Sequence, residues 1–413
     1  MKHFVRSLCI LALFSFVTLA QEPNWSQFRG PNSDNHSAST GIAKSWPAGG
    51  PKLLWKNETT IGSGYSTISS YGDKIFTMGD INNQCHVFAL DRVTGKELWK
   101  TNIGKGGDGG GGWAGTLGTP ACDGETVYAL SQFSEFVALD AKDGTRRWRK
   151  NTASDLGGAK MSGWGYSMSP IIDGDKILLP VGGNGGTLAA FSKSGELLWR
   201  TDWLKDAAAH TSVVPVEFNG IRQYMLLTGE HLVGVSTEGQ FLWRANFPGK
   251  TAVCSDPVLC GDVVMASCSY GVGAYFYRLE KDGDSFKITN FRGPDQALTS
   301  HHGGIVAVGD YFYLLTLNDL ACVNAKTGET VWRNRSVGKG SLTYVDGMLI
   351  VRSEGGDGTI ALVEASPTGY KELGRFDQLE GTRSDKNSWA YPVVVDKKLY
   401  IRDQGVLLCY DLN

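Results

Sequence analysis

The chain has 413 residues, with 40 basic against 42 acidic side chains and a formal net charge of −2. At 41% hydrophobic and 20% charged it has globular composition, which excludes wholesale disorder. Its near-neutral balance leaves no electrostatic footprint for nucleic acid or an anionic membrane surface. Glycine is in excess at 54 residues, beside 12 Trp, 15 Tyr and 17 Phe. Many turns with many aromatic side chains predict an all-β chain of short strands.

The first segment reads as an address. Lys2 and Arg6 precede an apolar run from Ser7 to Val17, and Thr18-Leu19-Ala20 offers small residues where a signal peptidase cuts. Residues 1–20 are therefore expected to be a cleavable signal peptide, giving a secreted or periplasmic protein. The run is shorter than the roughly 20 residues a membrane span needs, and no later segment qualifies, so no transmembrane segment is expected. Cleavage would leave 38 basic and 42 acidic residues, net −4. Residues 21–50 then read as an N-terminal arm, and 51–413 as one repeat domain.

Six segments share one ending. Ala89-Leu90-Asp91 leads through Gly95 to Trp99, and Ala138-Leu139-Asp140 through Gly144 to Trp148. Ala190-Phe191-Ser192 reaches Trp199, Gly234-Val235-Ser236 reaches Trp243, and Cys322-Val323-Asn324 reaches Trp332. The sixth, Leu362-Val363-Glu364, ends in Leu373. The pattern is strand, tight turn, strand, with glycine supplying the positive φ of the turn. A further hairpin precedes each ending, as in Pro170 to Leu179. One unit is thus four antiparallel strands, A to D, which buries both faces only when stacked radially against neighbours.

The fold predicted is an all-β, eight-bladed β-propeller of four-stranded antiparallel blades. First strands begin near Ser66, Thr119, Ser169, Val213, Asp256, Gly304, Leu342 and Tyr391. Lys52-Leu53-Leu54-Trp55 has no A–C strands before it, and the last unit stops after Val406-Leu407-Leu408-Cys409-Tyr410. The N-terminal strand is therefore expected to complete the last blade, which removes an open sheet edge. The tryptophans are expected to fill the wedges between blades. The small column Ala89, Ala138, Ala190, Gly234, Cys322, Cys409 is expected to leave room for the neighbouring blade. Cys322 and Cys409 read as small buried hydrophobes. Cys254 and Cys268 face one another across an A–B hairpin, which leaves a disulfide open, and no cysteine or histidine spacing indicates zinc.

The Ala-x-Asp-x-x-Thr-Gly-x-x-x-Trp ending resembles the tryptophan-docking repeat of pyrroloquinoline-quinone (PQQ) propellers. The arm Trp25-Ser26-Gln27-Phe28-Arg29-Gly30-Pro31-Asn32 and the block Asn387-Ser388-Trp389-Ala390-Tyr391-Pro392 are similar to secreted PQQ-binding-like β-propeller repeat proteins. The wider superfamily holds quinoprotein alcohol dehydrogenases and the BamB-type outer-membrane assembly factor. The chain departs from both. It has no adjacent cysteines, no Glu, Asn and Asp trio that can be placed as a calcium site, and no lipidation cysteine at the end of the apolar run.

Propeller topology puts the D–A and B–C loops on one face, and these are the irregular, residue-rich ones. Ligand-binding candidates there are Trp113, Trp164, Tyr166, His210, Glu230, His301, His302, Arg352, Glu354, Trp389 and Arg402. Aromatic rings around a polar concave centre suit a flat ring or a sugar, or else plug the channel mouth. Arg352 and Arg402 sit at matching B-strand ends, where they hold a carboxylate or phosphate or pair with Glu354 and Asp403. The histidines are open to metal ligation, base chemistry or simple hydrogen bonding. No hydrolase or phosphate-loop signature stands out.

The function expected is a monomeric extracytoplasmic binding or scaffold propeller without catalysis, a metal or a cofactor of its own. Its partner would be an envelope protein, a glycan or a small ligand. The alternative is a PQQ-dependent dehydrogenase using the quinone with calcium, with Trp164 or Trp389 as platform and Glu230 or Glu354 as base. A polysaccharide-binding module is a third reading.

Overall fold

A computed structural model describes residues 24–413; the expected leader and its cleavage site lie outside them. Among the described residues the chain folds into eight sheets around one axis. Blade 1 runs from strand Ser69–Tyr71 to Glu97–Lys105, blade 2 from Ala121–Cys122 to Arg146–Asn151, and blade 3 from Ile171–Asp173 to Leu197–Arg200. Blade 4 runs from Val214–Phe218 to Phe241–Asn246, blade 5 from Val258–Cys260 to Ser285–Asp295, and blade 6 from Ile305–Val308 to Thr330–Asn334. Blade 7 spans Gly340–Val345 to Glu372–Phe376. Blade 8 takes Val393–Val395, Lys398–Asp403 and Val406–Asp411 from the C-terminus and Leu53–Asn57 from the N-terminal side. The register of that closure pairs Leu53 with Tyr410, Trp55 with Cys409 and Asn57 with Leu407. No helix among the described residues is long and apolar enough to cross a membrane.

The repeat is a docking device between neighbours. Trp99 of blade 1 donates its indole N–H to the Ala141 carbonyl of blade 2 at 3.2 Å, and its ring lies where a Cβ on Gly144 would sit, 2.5 Å away. Trp148 repeats this on Lys193 and Gly195, and Trp199 on Thr237 and Gly239. Trp55 lies against Gly95 of blade 1 and so carries the device across the closure. Blade 5 breaks the rule. Its last two strands, Gly273–Asp282 and Ser285–Asp295, are long, and a Cβ on the glycine of their turn, Gly283, would meet nothing within 4 Å; Trp243 instead donates inward to Gln223 Oε1 at 2.6 Å.

The small column packs against the neighbouring blade, as expected: Ala89 lies with Val127 and Leu139 of blade 2, and Ala138 with Ile177 and Leu179 of blade 3. Each small residue faces the tryptophan of its own blade across the C–D pair: Ala89 with Trp99, Ala138 with Trp148, Gly234 with Trp243, Cys322 with Trp332. A Cβ on Gly234 would lie 2.1 Å from the Trp243 ring. The column thus also makes room for its own indole, and a register shift lies beside it at Ala89 and Ala138.

The arm was not expected to enter the channel, yet it does. Trp25 pairs through its backbone with Ser70 of blade 1, Ser26 accepts from the Cys122 N–H of blade 2, and Gln27 accepts from the Ile172 N–H of blade 3. Arg29 donates to the Ile305 carbonyl of blade 6 at 2.7 Å and lies 3.5 Å from Asp256 at the start of blade 5. His36–Ser37 then adds a parallel strand to Gly340–Val345 of blade 7. Ser37 Oγ reaches the Val394 carbonyl of blade 8. Positive φ at Arg29 (63°), Ser33 (55°) and Asn35 (65°) curls the segment tightly enough to fit. The inner strands leave unpaired backbone groups facing the axis, and the arm satisfies many of them.

Candidate functional site

On the loop-rich face the axis opens into a cavity of about 230 Å³. The arm forms its floor through Phe28, whose ring meets Tyr391 edge-on at 5.4 Å. The walls are D–A loops: Tyr65, Trp113, Trp164, His210, Cys254, His301, His302, Lys339 and Trp389, joined by Tyr270 from a B–C loop. Six of the expected candidates meet here, namely Trp113, Trp164, His210, His301, His302 and Trp389.

The rings form a continuous ladder. Tyr65 and Trp389 lie 4.5 Å apart, Trp113 and Trp389 4.6 Å, and His302 stacks on Trp389 at 4.4 Å with planes 26° apart. His301 is 3.6 Å from His302 and meets Tyr270 edge-on. Trp113 is presented by the run Gly109 to Gly112, which folds over Asp108, whose carboxylate accepts from the Gly110 and Gly112 N–H groups. A side chain on Gly111 would strike the Trp164 indole, so glycine lets that loop close down on its neighbour.

The cavity is electrically quiet. Burial holds His210 down to about 4, His301 to about 3 and His302 well below its ordinary value, so all three are neutral at physiological pH. His210 is fixed between two hydroxyls, Ser162 Oγ on Nε2 and Ser167 Oγ on Nδ1. Lys339 is the cation at the wall, and Glu354 neutralises it at 2.7 Å from just behind. Burial pushes the Tyr65 hydroxyl up to about 12. No carboxylate lines the cavity among the described residues.

Five candidates lie elsewhere. Tyr166 turns back into the core between blades 2 and 3 with Phe136 and Ile177. Glu230 is exposed beside His231 and Asp206, away from the axis. Glu354 acts from behind the wall, on Lys339 and 3.9 Å from His302. Arg352 and Arg402 are fully buried and do not offer their guanidinium groups to a ligand. Arg352 donates to Gln378, Ser388, and the Ala390 and Arg402 carbonyls, with Asp403 at 3.7 Å. Arg402 donates to Thr77 and to the Met78 and Gln404 carbonyls. Both tie D–A loops to the sheets beneath. Cys254 and Cys268 are free thiols, so the open question of a disulfide between them is answered. Phe28, Tyr65, Cys254, Tyr270 and Lys339 line the cavity without having been among the expected candidates.

The family model described as outer membrane protein assembly factor BamB matches residues 83–283 and 280–383. The chain belongs to this family. Outer membrane protein assembly factor BamB from Burkholderia pseudomallei (strain K96243) is 21% identical over 294 residues, covering 69% of this chain and 70% of that protein. Among solved structures, BamB from Moraxella catarrhalis superposes with a TM-score of 0.58 at 15% identity, over 87% of this chain and 97% of that one. Quinohemoprotein alcohol dehydrogenase from Comamonas testosteroni gives 0.68 at 13% identity, over 95% and 81%. At such identities the solved structures speak for the fold alone. The BamB family membership therefore fixes the architecture and leaves the cavity to be read from its own residues.

Those residues do not suit a quinone held with calcium. PQQ carries three carboxylates, and this wall offers them one lysine already paired with Glu354. Calcium takes about six to eight oxygen ligands, with carboxylates prominent, whereas the ionisable groups here are neutral imidazoles, a thiol, tyrosine hydroxyls and the paired Lys339, with no carboxylate among them.

Proposed function

We propose that this chain is a binding propeller of the cell envelope that docks a partner protein on its loop-rich face, with an apolar or aromatic side chain of the partner seated in the axial cavity. The observation that carries this reading is the ring ladder from Tyr65 through Trp113 and Trp389 to His302 around a neutral, concave centre. Aromatic anchors in a preformed pocket concentrate binding free energy, and a pocket without unpaired charge favours an apolar guest. Membership of a family described by an assembly factor agrees with a scaffold role. Export by a signal peptide in residues 1–20 is part of the proposal.

The test is a cross-linking pull-down from envelope extract, comparing the protein with Trp389→Ala and Trp113→Ala. Loss of one specific partner in both variants, with unchanged circular dichroism, is the expected result. Partner capture that ignores both substitutions overturns the docking site. Capture of soluble glycan in place of protein would replace the partner class.

A further inference from the structure

One wall of the cavity gathers three metal-ligating side chains, of which the docking reading uses the His302 ring alone. Cys254 comes from the loop before blade 5, and His301 and His302 from the loop before blade 6. One ligand atom of each lies within 4.8 Å of the others. Tetrahedral zinc, with bonds of about 2.0 to 2.3 Å, sets its ligands roughly 3.3 to 3.8 Å apart. Closing the trio onto an ion therefore takes a shift of about an ångström, within the range of side-chain rotation. The surroundings resemble an outer shell. Tyr270 Oη is 3.1 Å from His301 Nε2, and Glu354 Oε2 is 3.9 Å from His302 Nδ1, a buried nitrogen without a hydrogen-bond partner. A carboxylate behind a ligating histidine fixes its ring and raises its basicity. Trp389 stacks on the other flank of His302.

We propose that Cys254, His301 and His302 form a metal site for a borderline-to-soft transition ion, zinc(II) in the first instance, with the fourth position open to the cavity. One thiolate and two imidazoles suit zinc or copper and discriminate against calcium and magnesium. On binding, the Cys254 thiol gives its proton to solvent and the sulfur forms the metal bond, while the two imidazoles donate ring lone pairs. No redox change is involved. Glu354 is a positioning residue. The site shares His302 and the cavity with the docking reading but is tested by metal binding alone, without a partner.

The experiment titrates the purified, metal-free full chain with zinc(II), and separately with cobalt(II) as a spectroscopic probe. One ion per chain is expected, with a sulfur-to-cobalt charge-transfer band in the near ultraviolet and tetrahedral d–d absorption. Cys254→Ser should abolish the charge-transfer band, His302→Gln should abolish the stoichiometric zinc binding, and Glu354→Gln should weaken zinc by about tenfold. Cys268→Ser, the neighbouring thiol outside the trio, should leave all three unchanged. X-ray absorption of the zinc-loaded wild type, which needs no variant to fold, should read one sulfur and two nitrogens. Absence of a sulfur shell, or equal zinc affinity in Cys254→Ser and wild type, overturns the site. The partner pull-down, repeated with chelator, keeps the two proposals apart.

Discussion

At the residue scale the cavity is defined by groups kept neutral in spite of their chemistry. His210 is the clearest case, enclosed between two serine hydroxyls and held at about 4 by burial against 6.5 ordinarily. A depressed base contributes stability that is complete above about pH 6.5 and is lost as pH falls through the folded value near 4. The shift corresponds to roughly 3 kcal/mol at most. Replacing His210 by Gln should therefore flatten the acid limb of a stability-versus-pH curve between pH 6.5 and 4, read by urea denaturation at each pH. An unchanged slope would show that the imidazole titrates freely in the native state. Single residues were also where sequence reading was weakest. Arg352 and Arg402 sit at equivalent strand ends, but periodicity cannot tell an inward strut from an outward ligand holder. Tyr166 lies one turn from Trp164, yet the loop folds back and sends it into the core. Phe28 belongs to a segment with positive φ at non-glycine positions, a conformation that leaves no hydrophobic period to read.

At the element scale the tryptophan and the glycine of the next blade act as one unit, and this was legible. The period is long, repeated, and enforced by packing at four successive interfaces, from blade 8 to blade 4, so local and global requirements agree there. Gly144 and Gly174 offer a clean comparison because both have positive φ, 75° and 63°. A Cβ at Gly144 meets both the Trp99 ring and Thr101 Oγ1 at 2.5 Å, whereas one at Gly174 meets nothing within 4 Å. Gly174→Ala should cost about 1 kcal/mol from backbone strain alone, and Gly144→Ala about 1 to 3 kcal/mol more from overpacking. Equal losses in chemical denaturation would mean that Trp99 and Thr101 yield without resistance. The small column was read correctly as facing the next blade; that it also stands opposite its own tryptophan was not read, because a strand pattern gives alternation and not the pairing across the next turn.

At the scale of the whole molecule two N-terminal pieces have separable tasks. Leu53–Asn57 closes the ring by pairing with Val406–Asp411, and residues 24–37 fill the channel. A chain beginning at residue 38 should still fold and keep the elution volume of the full chain, with a lower melting temperature and a cavity without its floor. A chain beginning at residue 59 leaves the edge of Val406–Asp411 bare and should associate on size-exclusion chromatography. If both truncations behave alike, the two tasks are one. The closure was legible because a strand without a hairpin at one end and a three-stranded unit at the other admit one solution. The filling was not, since it depends on backbone groups facing the axis, which no side-chain pattern records. With Phe28 and Arg29 stoppering the bore, the well is blind: whatever enters must leave by the same mouth, in reverse order of arrival. A guest bound first and deepest is thus trapped beneath any larger body that settles over it, and its escape is timed by the departure of that body.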